Sequence, residues 1–466
     1  MVDSYPRIVV AGAHSGVGKT STTLALVSAL SVRGLKVQTF KVGPDYLDPS
    51  YLQIASGRPC YNLDGWMTGR EYIYDLFVRK AKDADISVIE GVMGLFDGSD
   101  PVKPDGSTAE IAEWLDAPVL LVINVHGMAR TAAALVKGYS EFDGNLNVAG
   151  IAANHCGSDR HAQWLGEAFK AYGLPGIVVA TPRGAYPELP SRHLGLVTAD
   201  ERSFPGEVLD RLGAVFEQHA SVEEIVAIAR AAPSLAAPSA DRASMGEEGR
   251  AILGVAFDSA FHFYYPDNIE ALERHGCRVI RFSPLSDEVL PQGLDGLYIG
   301  GGYPEEFAEE LSANRPMLDS VRAFARSGRP IYAECGGLMY LSQGIESTDG
   351  KRFDMAGVLP ARTRMLQRLK TLGYVEATLL EDSLFGKRGT QLRGHEYHYS
   401  ELVGNPLDDP DWNPAYEVRR VRLQTTELEG YQHGRILAGY IHAHFASRPD
   451  AVEHFVSLCA GTRENN

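Results

Sequence analysis

A glycine-rich stretch near the start of the sequence, Gly12 to Thr20, combines residues that can bind a polyphosphate. It reads GAHSGVGKT and stands between an apolar run and a helical pattern, which predicts a strand, a loop and a helix. Backbone N–H groups of such a loop, together with Gly16 and Gly18, surround phosphate oxygens, while Lys19 reaches the outer phosphates and the Thr20 hydroxyl ligates magnesium. The stretch predicts an ATP site; a glycine-rich turn that feeds a buried helix is the competing interpretation.

A second group of charged residues follows the next apolar run. Lys41 precedes Asp45 and Asp48 in the stretch KVGPDYLD. Hard carboxylate oxygens suit magnesium, which takes one or two protein carboxylates along with phosphate oxygens and water. We expect Lys41 at the nucleotide and both aspartates at the metal, although Gly, Pro and Asp are also common in solvated turns.

Glu90 ends a third apolar run, Ile86 to Glu90. A carboxylate at the end of a buried strand is costly without a partner, and magnesium is the partner we expect. Asp97 lies shortly after it and is predicted to contact the acceptor substrate. Asn154 ends a later strand and is predicted to contact adenine, with a helix-capping role as the alternative.

In the second half of the chain, Cys335 follows the run PIYAE and precedes two glycines. This pattern is typical of a nucleophile on a tight turn between a strand and a helix. The other interpretation is a buried cysteine that acts as a small apolar residue. A thioester mechanism needs an oxyanion hole, for which we predict the backbone N–H groups of Gly301 and Gly336.

A base must also activate the thiol, and His442 in the stretch YIHAHF is the predicted base. Alternation along a strand places His442 and His444 on the same face. A metal-binding histidine pair is the competing interpretation, but the sequence offers no evident third ligand.

The elements that position these residues alternate between strands and helices. Apolar runs in the first half, separated by helix-length segments, predict a parallel sheet covered on both faces, with binding residues at the carboxyl ends of its strands. A segment rich in Ala, Pro and Ser, 231–248, is the best linker. We predict two domains, 1–235 and 249–460, the second a smaller α/β domain.

Composition narrows the class of protein. The 466 residues are too many for one core, and the net charge of -16 argues against nonspecific nucleic-acid binding. The five cysteines form no C-x-x-C pair, so neither a disulfide framework nor a zinc site is expected. No apolar run is long enough to span a bilayer, and the first residues lack a signal-peptide pattern, so we expect a cytoplasmic protein without a membrane partner.

Eight stretches occur in an order that resembles the cobyrinic acid a,c-diamide synthases, from about Arg7 to Phe455. They are GAHSGVGKT, FKVGPDYLDP, EGVMGLFDG, FYYPDN, GGGYPE, AECGGL, GHEYHYS and YIHAHF. The resemblance implies an N-terminal P-loop domain similar to dethiobiotin synthetase and a C-terminal class I glutamine amidotransferase domain. Aligned on that domain's His-Pro-Glu motif, His442 is the base and His444 stands at the glutamate position, so a Cys-His dyad is expected.

The resemblance further implies an ATP- and glutamine-dependent ligase with magnesium, which amidates the a and c carboxylates of cobyrinic acid in cobalamin biosynthesis. Nickel sirohydrochlorin and hydrogenobyrinic acid are alternative acceptors, and cobyric acid synthase is a third relative. From another class, the chain could be a nucleotide-dependent switch with a degenerate second domain. The oligomeric state stays open, with a homodimer as one option.

Overall fold

The computed structural model of the protein describes residues 2–189, 191–192, 195–196, 206–236 and 249–462. The chain divides into two compact units, Met1–Asp241 and Arg242–Asn466. Most of the predicted linker, 237–248, lies outside the described residues, so the predicted domain bounds stay a prediction. In the described residues, no helix is both long and apolar enough to cross a membrane.

The first unit alternates strands and helices. Its strands are β1 (Val2–Asp3), β2 (Arg7–Gly12), β3 (Val37–Val42), β4 (Tyr61–Leu63), β5 (Ile86–Glu90), β6 (Val119–Asn124), β7 (Val148–Cys156), β8 (Ile177–Pro182), β9 (Ser191–Arg192), β10 (Gly195–Leu196) and β11 (Leu235–Ala236). Its helices are α1 (Lys19–Val32), α2 (Leu47–Ser56), α3 (Gly65–Thr68), α4 (Arg70–Ala81), α5 (Thr108–Trp114), α6 (Arg130–Glu141), α7 (Asp159–Ala171), α8 (Gly206–His219) and α9 (Val222–Arg230).

The main sheet of this unit is parallel, in the order β4-β3-β5-β2-β6-β7-β8. The sequence of β2 is continuously apolar because both of its faces are buried. Val9 and Ala11 pack into the core on one face, and Ile8 and Val10 pack into the core on the other. Covered faces favour such runs. The phosphate loop, Lys41, Glu90 and Asn154 therefore all come to the carboxyl edge of one sheet.

The second unit begins with the same alternation and then becomes rich in antiparallel strands. Its strands are β12 (Ala251–Ala256), β13 (Cys277–Phe282), β14 (Gly296–Ile299), β15 (Ile331–Glu334), β16 (Gly344–Glu346), β17 (Arg352–Asp354), β18 (Arg362–Met365), β19 (Thr371–Leu379), β20 (Gln391–His398), β21 (Ser400–Val403), β22 (Asn413–Arg420), β23 (Thr425–His433), β24 (Ile436–Gly439) and β25 (His442–Ala443). Its helices are α10 (Pro266–Arg274), α11 (Ala308–Ala313), α12 (Arg315–Arg326), α13 (Gly336–Leu341) and α14 (Pro449–Ala460), with 3-10 turns at Pro406–Asp408 and Phe445–Ser447.

The main sheet of the second unit runs β13-β12-β14-β15-β24-β23-β22-β19-β20-β25, parallel from β13 to β24 and antiparallel beyond. A smaller sheet has the order β17-β16-β18-β21. The predicted α/β fold class, with a parallel sheet in the first unit, is confirmed. The antiparallel strands after residue 370 were not predicted.

Candidate active sites

The phosphate loop joins β2 to α1 with the backbone that its glycines allow. Gly16 and Gly18 have φ angles of 77° and 96°, a region that is costly for residues with a Cβ atom. Gly18 also lacks room, since a Cβ there would lie 2.5 Å from Asn154 Nδ2. Lys19 Nζ donates to the Met93 carbonyl at 2.5 Å. The glycines thus permit the turn from β2 into α1, where the Lys19 side chain folds toward the loop that follows β5.

The loop is also fastened to its neighbours. Asn154 Nδ2 donates to the Val17 carbonyl at 3.0 Å and to Thr22 Oγ1 at 3.3 Å. A Cβ atom on Gly12 would lie 2.7 Å from Val17 Cγ1 and 2.9 Å from Lys19 Cδ. Gly12 therefore leaves space for the folded lysine, and Asn154 braces the loop; its contact with adenine stays a prediction.

A buried ion-pair network lies beside the start of α1. Lys41 Nζ contacts Asp48 Oδ2 at 2.6 Å and Glu90 Oε1 at 3.1 Å. The Thr20 hydroxyl donates to the same Glu90 oxygen at 2.7 Å. Four residues that were predicted from three separate stretches of sequence, 20, 41, 48 and 90, are therefore linked in one network of direct contacts.

Burial sets the charges of this network. It raises the pKa of Glu90 to about 7, against the opposing effect of Lys41. Burial alone would lower the pKa of Lys41, but Asp48 and Glu90 outweigh it and raise that pKa above its usual value. Lys41 is consequently a cation at neutral pH, held beside the start of α1; its contact with the nucleotide stays a prediction.

Two further aspartates were predicted at this site, and Asp45 joins the network through a side-chain hydrogen bond with Asp48. Asp45 Oδ1 accepts a hydrogen bond from the Leu47 N–H at 2.8 Å, and burial, with Asp48 next, raises its pKa to about 7. Asp97 Oδ2 accepts from the Gly94 N–H at 3.0 Å, in the loop that follows β5. Their predicted roles, at the metal and at the acceptor, stay predictions.

The donor set fits a magnesium ion that is held together with ATP. Among the described residues, no group of three or more His, Cys, Asp and Glu side chains could hold a metal ion. A nucleotide-bound magnesium needs fewer protein ligands. Glu90 Oε2 is buried and receives no hydrogen bond. Thr20 Oγ1 contacts the other oxygen of Glu90. Thr20 and Glu90 therefore suit the ion better than Asp48, whose Oδ2 is paired with Lys41.

In the second unit, Cys335 lies on a sharp turn between β15 and α13. Its φ and ψ angles are 48° and -100°, a strained conformation for a residue with a side chain. The Cys335 N–H donates to the Gly439 carbonyl at 2.7 Å, which ties the turn to the neighbouring β24. Burial raises the pKa of its thiol above the usual value. The geometry is that of a nucleophile elbow whose thiol needs a base.

The glycines that follow β14 lie between the elbow and a histidine. A Cβ atom on Gly336 would lie 3.1 Å from Gly302 N, and one on Gly301 would lie 2.3 Å from His442 Cε1. Gly301 therefore packs against the His442 ring and Gly336 against Gly302; the roles of Gly301 and Gly336 as oxyanion donors stay predictions. The Gly302 nitrogen also lies close to Gly336, which makes the Gly302 N–H a further candidate donor.

His442 is buried on β25, directly opposite His395 of β20. The two rings stack with centroids 5.1 Å apart and planes 19° apart. Burial, followed by His395 and His398, lowers the pKa of His442 well below its usual value. The ring is therefore neutral near pH 7; its role as the base that takes the thiol proton stays a prediction.

His444, which stands at the predicted glutamate position, has its own acidic neighbour. Its Nε2 lies 3.4 Å from Asp267 Oδ2 in the first turn of α10, and its ring lies 4.7 Å from that of Tyr265. Tyr265 also contacts His395, at 3.0 Å from Nδ1. His395 therefore lies between His442, on which it stacks, and Tyr265, which packs against His444. Strand β25 ends at Ala443, so His444 lies just after the strand.

Sequence reasoning did not single out Glu334 or Asp267, which are both buried in this region. Glu334 ends the apolar run that leads to Cys335, the same signal that drew attention to Glu90. Asp267 offered no comparable signal, because its histidine neighbour is distant in sequence.

Comparison with known proteins agrees with this arrangement. Residues 8–197 match the model of a CobQ/CobB/MinD/ParA nucleotide binding domain, and residues 252–450 match that of a CobB/CobQ-like glutamine amidotransferase domain. The matches cover both sites described above.

Curated relatives match over nearly the whole chain. A cobyrinate a,c-diamide synthase from Syntrophotalea carbinolica is 55% identical, covering 98% of this chain and 99% of its own. Proteins of the same name from Leptospira interrogans (46% identical, 97% and 98% covered) and Dehalococcoides mccartyi (41% identical, 98% and 98% covered) are also similar. The resemblance inferred from the eight stretches is confirmed: the chain belongs to the cobyrinate a,c-diamide synthase family.

Proposed function

We propose that this protein amidates the a and c side-chain carboxylates of cobyrinic acid, with ATP to activate each carboxylate and glutamine to supply the nitrogen. The observation that carries the proposal is the presence in one chain of a phosphate loop with a Lys41–Glu90–Thr20 network and a Cys335 elbow flanked by glycines and His442. Family membership along the whole chain supports the choice of acceptor.

In the first unit, the chain's task is to hold phosphates and neutralise charge. The loop N–H groups and Lys19 bind the polyphosphate, and Lys41 is the buried cation beside it. Transfer of the terminal phosphoryl group to a ring carboxylate gives an acyl phosphate and ADP, and ammonia then displaces phosphate to leave the amide. Thr20 and Glu90 would hold magnesium, which would add positive charge at the phosphates.

In the second unit, the Cys335 sulfur attacks the side-chain amide carbon of glutamine as His442 takes the thiol proton. Backbone N–H groups of the glycines that follow β14 and of Gly336 stabilise the oxyanion. His442 returns the proton to the leaving nitrogen, ammonia departs, and water then cleaves the thioester to release glutamate.

The acceptor is tested by product mass. The purified protein is incubated with ATP, magnesium and glutamine and with either cobyrinic acid or nickel sirohydrochlorin, in separate tubes. We expect two carboxyl-to-amide conversions of cobyrinic acid and none of the nickel compound. Conversion of the nickel compound alone would move the proposal to that acceptor, and conversion of neither would reject both.

The division of labour is tested with Cys335→Ala. This variant should lose glutamine-dependent amidation and retain amidation with added ammonium salts, because only the thioester step needs the sulfur. Cys277→Ala is the matched control: Cys277 and Cys335 are both 6% exposed in the same unit, and the control should keep both activities. Loss of both activities in Cys335→Ala alone would contradict the separation of the two sites.

A further inference from the structure

Glutamine hydrolysis in the second unit depends on three chain segments that are far apart in sequence. They are the turn at Cys335, strand β14 together with the glycines Gly300–Gly302 that follow it (named here the glycine strand), and the short strand β25 with His442. Each supplies one function, as nucleophile, oxyanion donor or base, so their separations must be fixed.

One buried carboxylate touches all three segments. Glu334, the last residue of β15, is 1% exposed. Its Oε1 accepts hydrogen bonds from the Tyr332 hydroxyl at 2.6 Å and the Ala443 N–H at 3.1 Å, and its Oε2 accepts from the Tyr298 hydroxyl at 2.7 Å.

The sequence positions of these partners explain what the carboxylate connects. Ala443 directly follows His442, so the hydrogen bond from its N–H links Glu334 to β25, the strand of the predicted base (the base strand). Tyr298 lies on β14, two residues before Gly300, so the hydrogen bond from its hydroxyl links Glu334 to the glycine strand. Glu334 itself precedes Cys335. Tyr332 lies on the same strand as Glu334, and its contact joins no further segment.

The surroundings make this carboxylate expensive to bury. The rings of Tyr298 and Tyr332 stack at 5.1 Å, and burial raises the pKa of Glu334 to about 7 despite its three hydrogen bonds. A buried polar network is a poor source of stability compared with apolar packing, but it fixes geometry when every donor has an acceptor.

We propose that Glu334 is a positioning residue for glutamine hydrolysis, which holds the nucleophile turn, the oxyanion strand and the base strand at fixed separations through Tyr298 and Ala443. The proposal rests on the proposed function of the second unit. It predicts that loss of the acceptor slows catalysis while glutamine binding and the chemistry of the first unit persist.

The direct test is Glu334→Met, which keeps the side-chain length but accepts no hydrogen bond. We expect kcat for glutamine hydrolysis to fall about 100-fold, the effect of displacing reacting groups by about 1 Å, with KM within about twofold. Amidation with ammonium salts should be unchanged. Glu334→Gln keeps a carbonyl acceptor and should give an intermediate kcat.

Asp295→Leu is the matched control. Asp295 is also a buried carboxylate that accepts a backbone N–H, from Ile252 at 2.7 Å, but it precedes β14 at the end away from the glycines. Its loss should lower the thermal unfolding midpoint without the fall in kcat. A Glu334→Met kcat within about threefold of the unmodified protein, or a fall equal to that of the control, would overturn the proposal.

If Glu334→Met does not fold, a second pair of variants tests the positioning role of Glu334. Tyr298→Phe and Tyr332→Phe each remove one hydroxyl donor from the same carboxylate, but only Tyr298 connects it to the oxyanion strand. We expect kcat for glutamine hydrolysis to fall about tenfold or more in Tyr298→Phe. In Tyr332→Phe the same kcat should fall less than about threefold. Equal losses would overturn the proposal.

The unmodified protein separates this inference from the proposed function. If it hydrolyses glutamine and the variants do so equally well, only the positioning role fails. If it hydrolyses no glutamine in the presence of ATP and acceptor, the proposed function fails first, and the positioning role fails with it.

Discussion

Two buried glutamates end parallel strands immediately before the loops that carry the chemistry, one in each unit. Glu90 ends β5 and is paired with Lys41, whereas Glu334 ends β15 and is held by tyrosine hydroxyls and a backbone N–H. The first arrangement holds a cation beside the start of α1, and the second links β15 to β14 and β25. The same residue type at the same place in a strand thus has a charged partner in one unit and neutral partners in the other.

Removal of the Lys41 charge should lower the unfolding free energy of the first unit. In Lys41→Met the carboxylates of Asp48 and Glu90 remain buried without their cation, and we expect a loss of about 3 to 5 kcal/mol of unfolding free energy. Lys137→Met is the control, since the Lys137–Glu141 pair is exposed on both sides and should cost less than about 0.5 kcal/mol.

Denaturation by urea, followed by tryptophan fluorescence, measures both variants. Trp66, Trp114 and Trp164, three of the four tryptophans, lie in the first unit, so the signal follows that unit. Equal losses in the two variants would show that the buried network contributes no more than a surface pair.

At the scale of elements, the close approach of α13 to β14 determines the elbow. A Cβ atom on Gly337 would lie 2.0 Å from the Ile299 carbonyl oxygen and 3.2 Å from that of Gly300. Backbone is therefore in contact with backbone at this point, and the glycine pair after Cys335 is a packing requirement as well as a feature of the turn.

Gly337→Ala should consequently displace α13 from β14 and with it the elbow. We expect glutamine hydrolysis to fall by about 100-fold, since small displacements of reacting groups have effects of that size. Gly138→Ala in α6, where a Cβ atom meets open space, should stabilise by up to about 1 kcal/mol and leave hydrolysis unchanged. A steady-state glutaminase assay distinguishes them; normal activity in Gly337→Ala would contradict the close-packing argument.

The elements that sequence analysis found were those with continuous apolar runs. Strands β2, β5 and β15 were predicted to within one or two residues because both of their faces are covered. Strand β19 was missed, because its inward and outward residues alternate and its sequence, TLGYVEATL, contains no apolar run. The contacts of Glu334 with Ala443 and of His444 with Asp267 were beyond prediction, since they depend on which distant segments meet.

For the molecule as a whole, buried acids should make stability depend on pH. Burial, followed by Glu396, raises the pKa of Glu429 to about 8, while its Oε1 accepts the Tyr440 N–H at 2.6 Å. A raised carboxyl pKa means that the folded state binds more protons than the unfolded state. Its stabilising contribution is therefore complete below about pH 4.5 and is lost as the pH rises through about 8.

Glu429→Gln tests this dependence. Between about pH 5 and 8 the unmodified protein should lose stability relative to the variant, by at most about 1.4 kcal/mol per pH unit for one proton. Calorimetric unfolding of both proteins across that range measures the difference. Parallel profiles would mean that Glu429 titrates alike in the folded and unfolded states.

The pairing of β15 with β24 has a consequence for how the enzyme is made. The turn at Cys335 hydrogen-bonds to Gly439, and Glu334 to Ala443, so the ribosome must add about 100 residues after the cysteine before the site can assemble, roughly 5 to 20 s of synthesis. The phosphate loop and its partners, up to Asn154, are synthesised much earlier. The contacts around the phosphate loop can therefore form in the nascent chain well before those around Cys335.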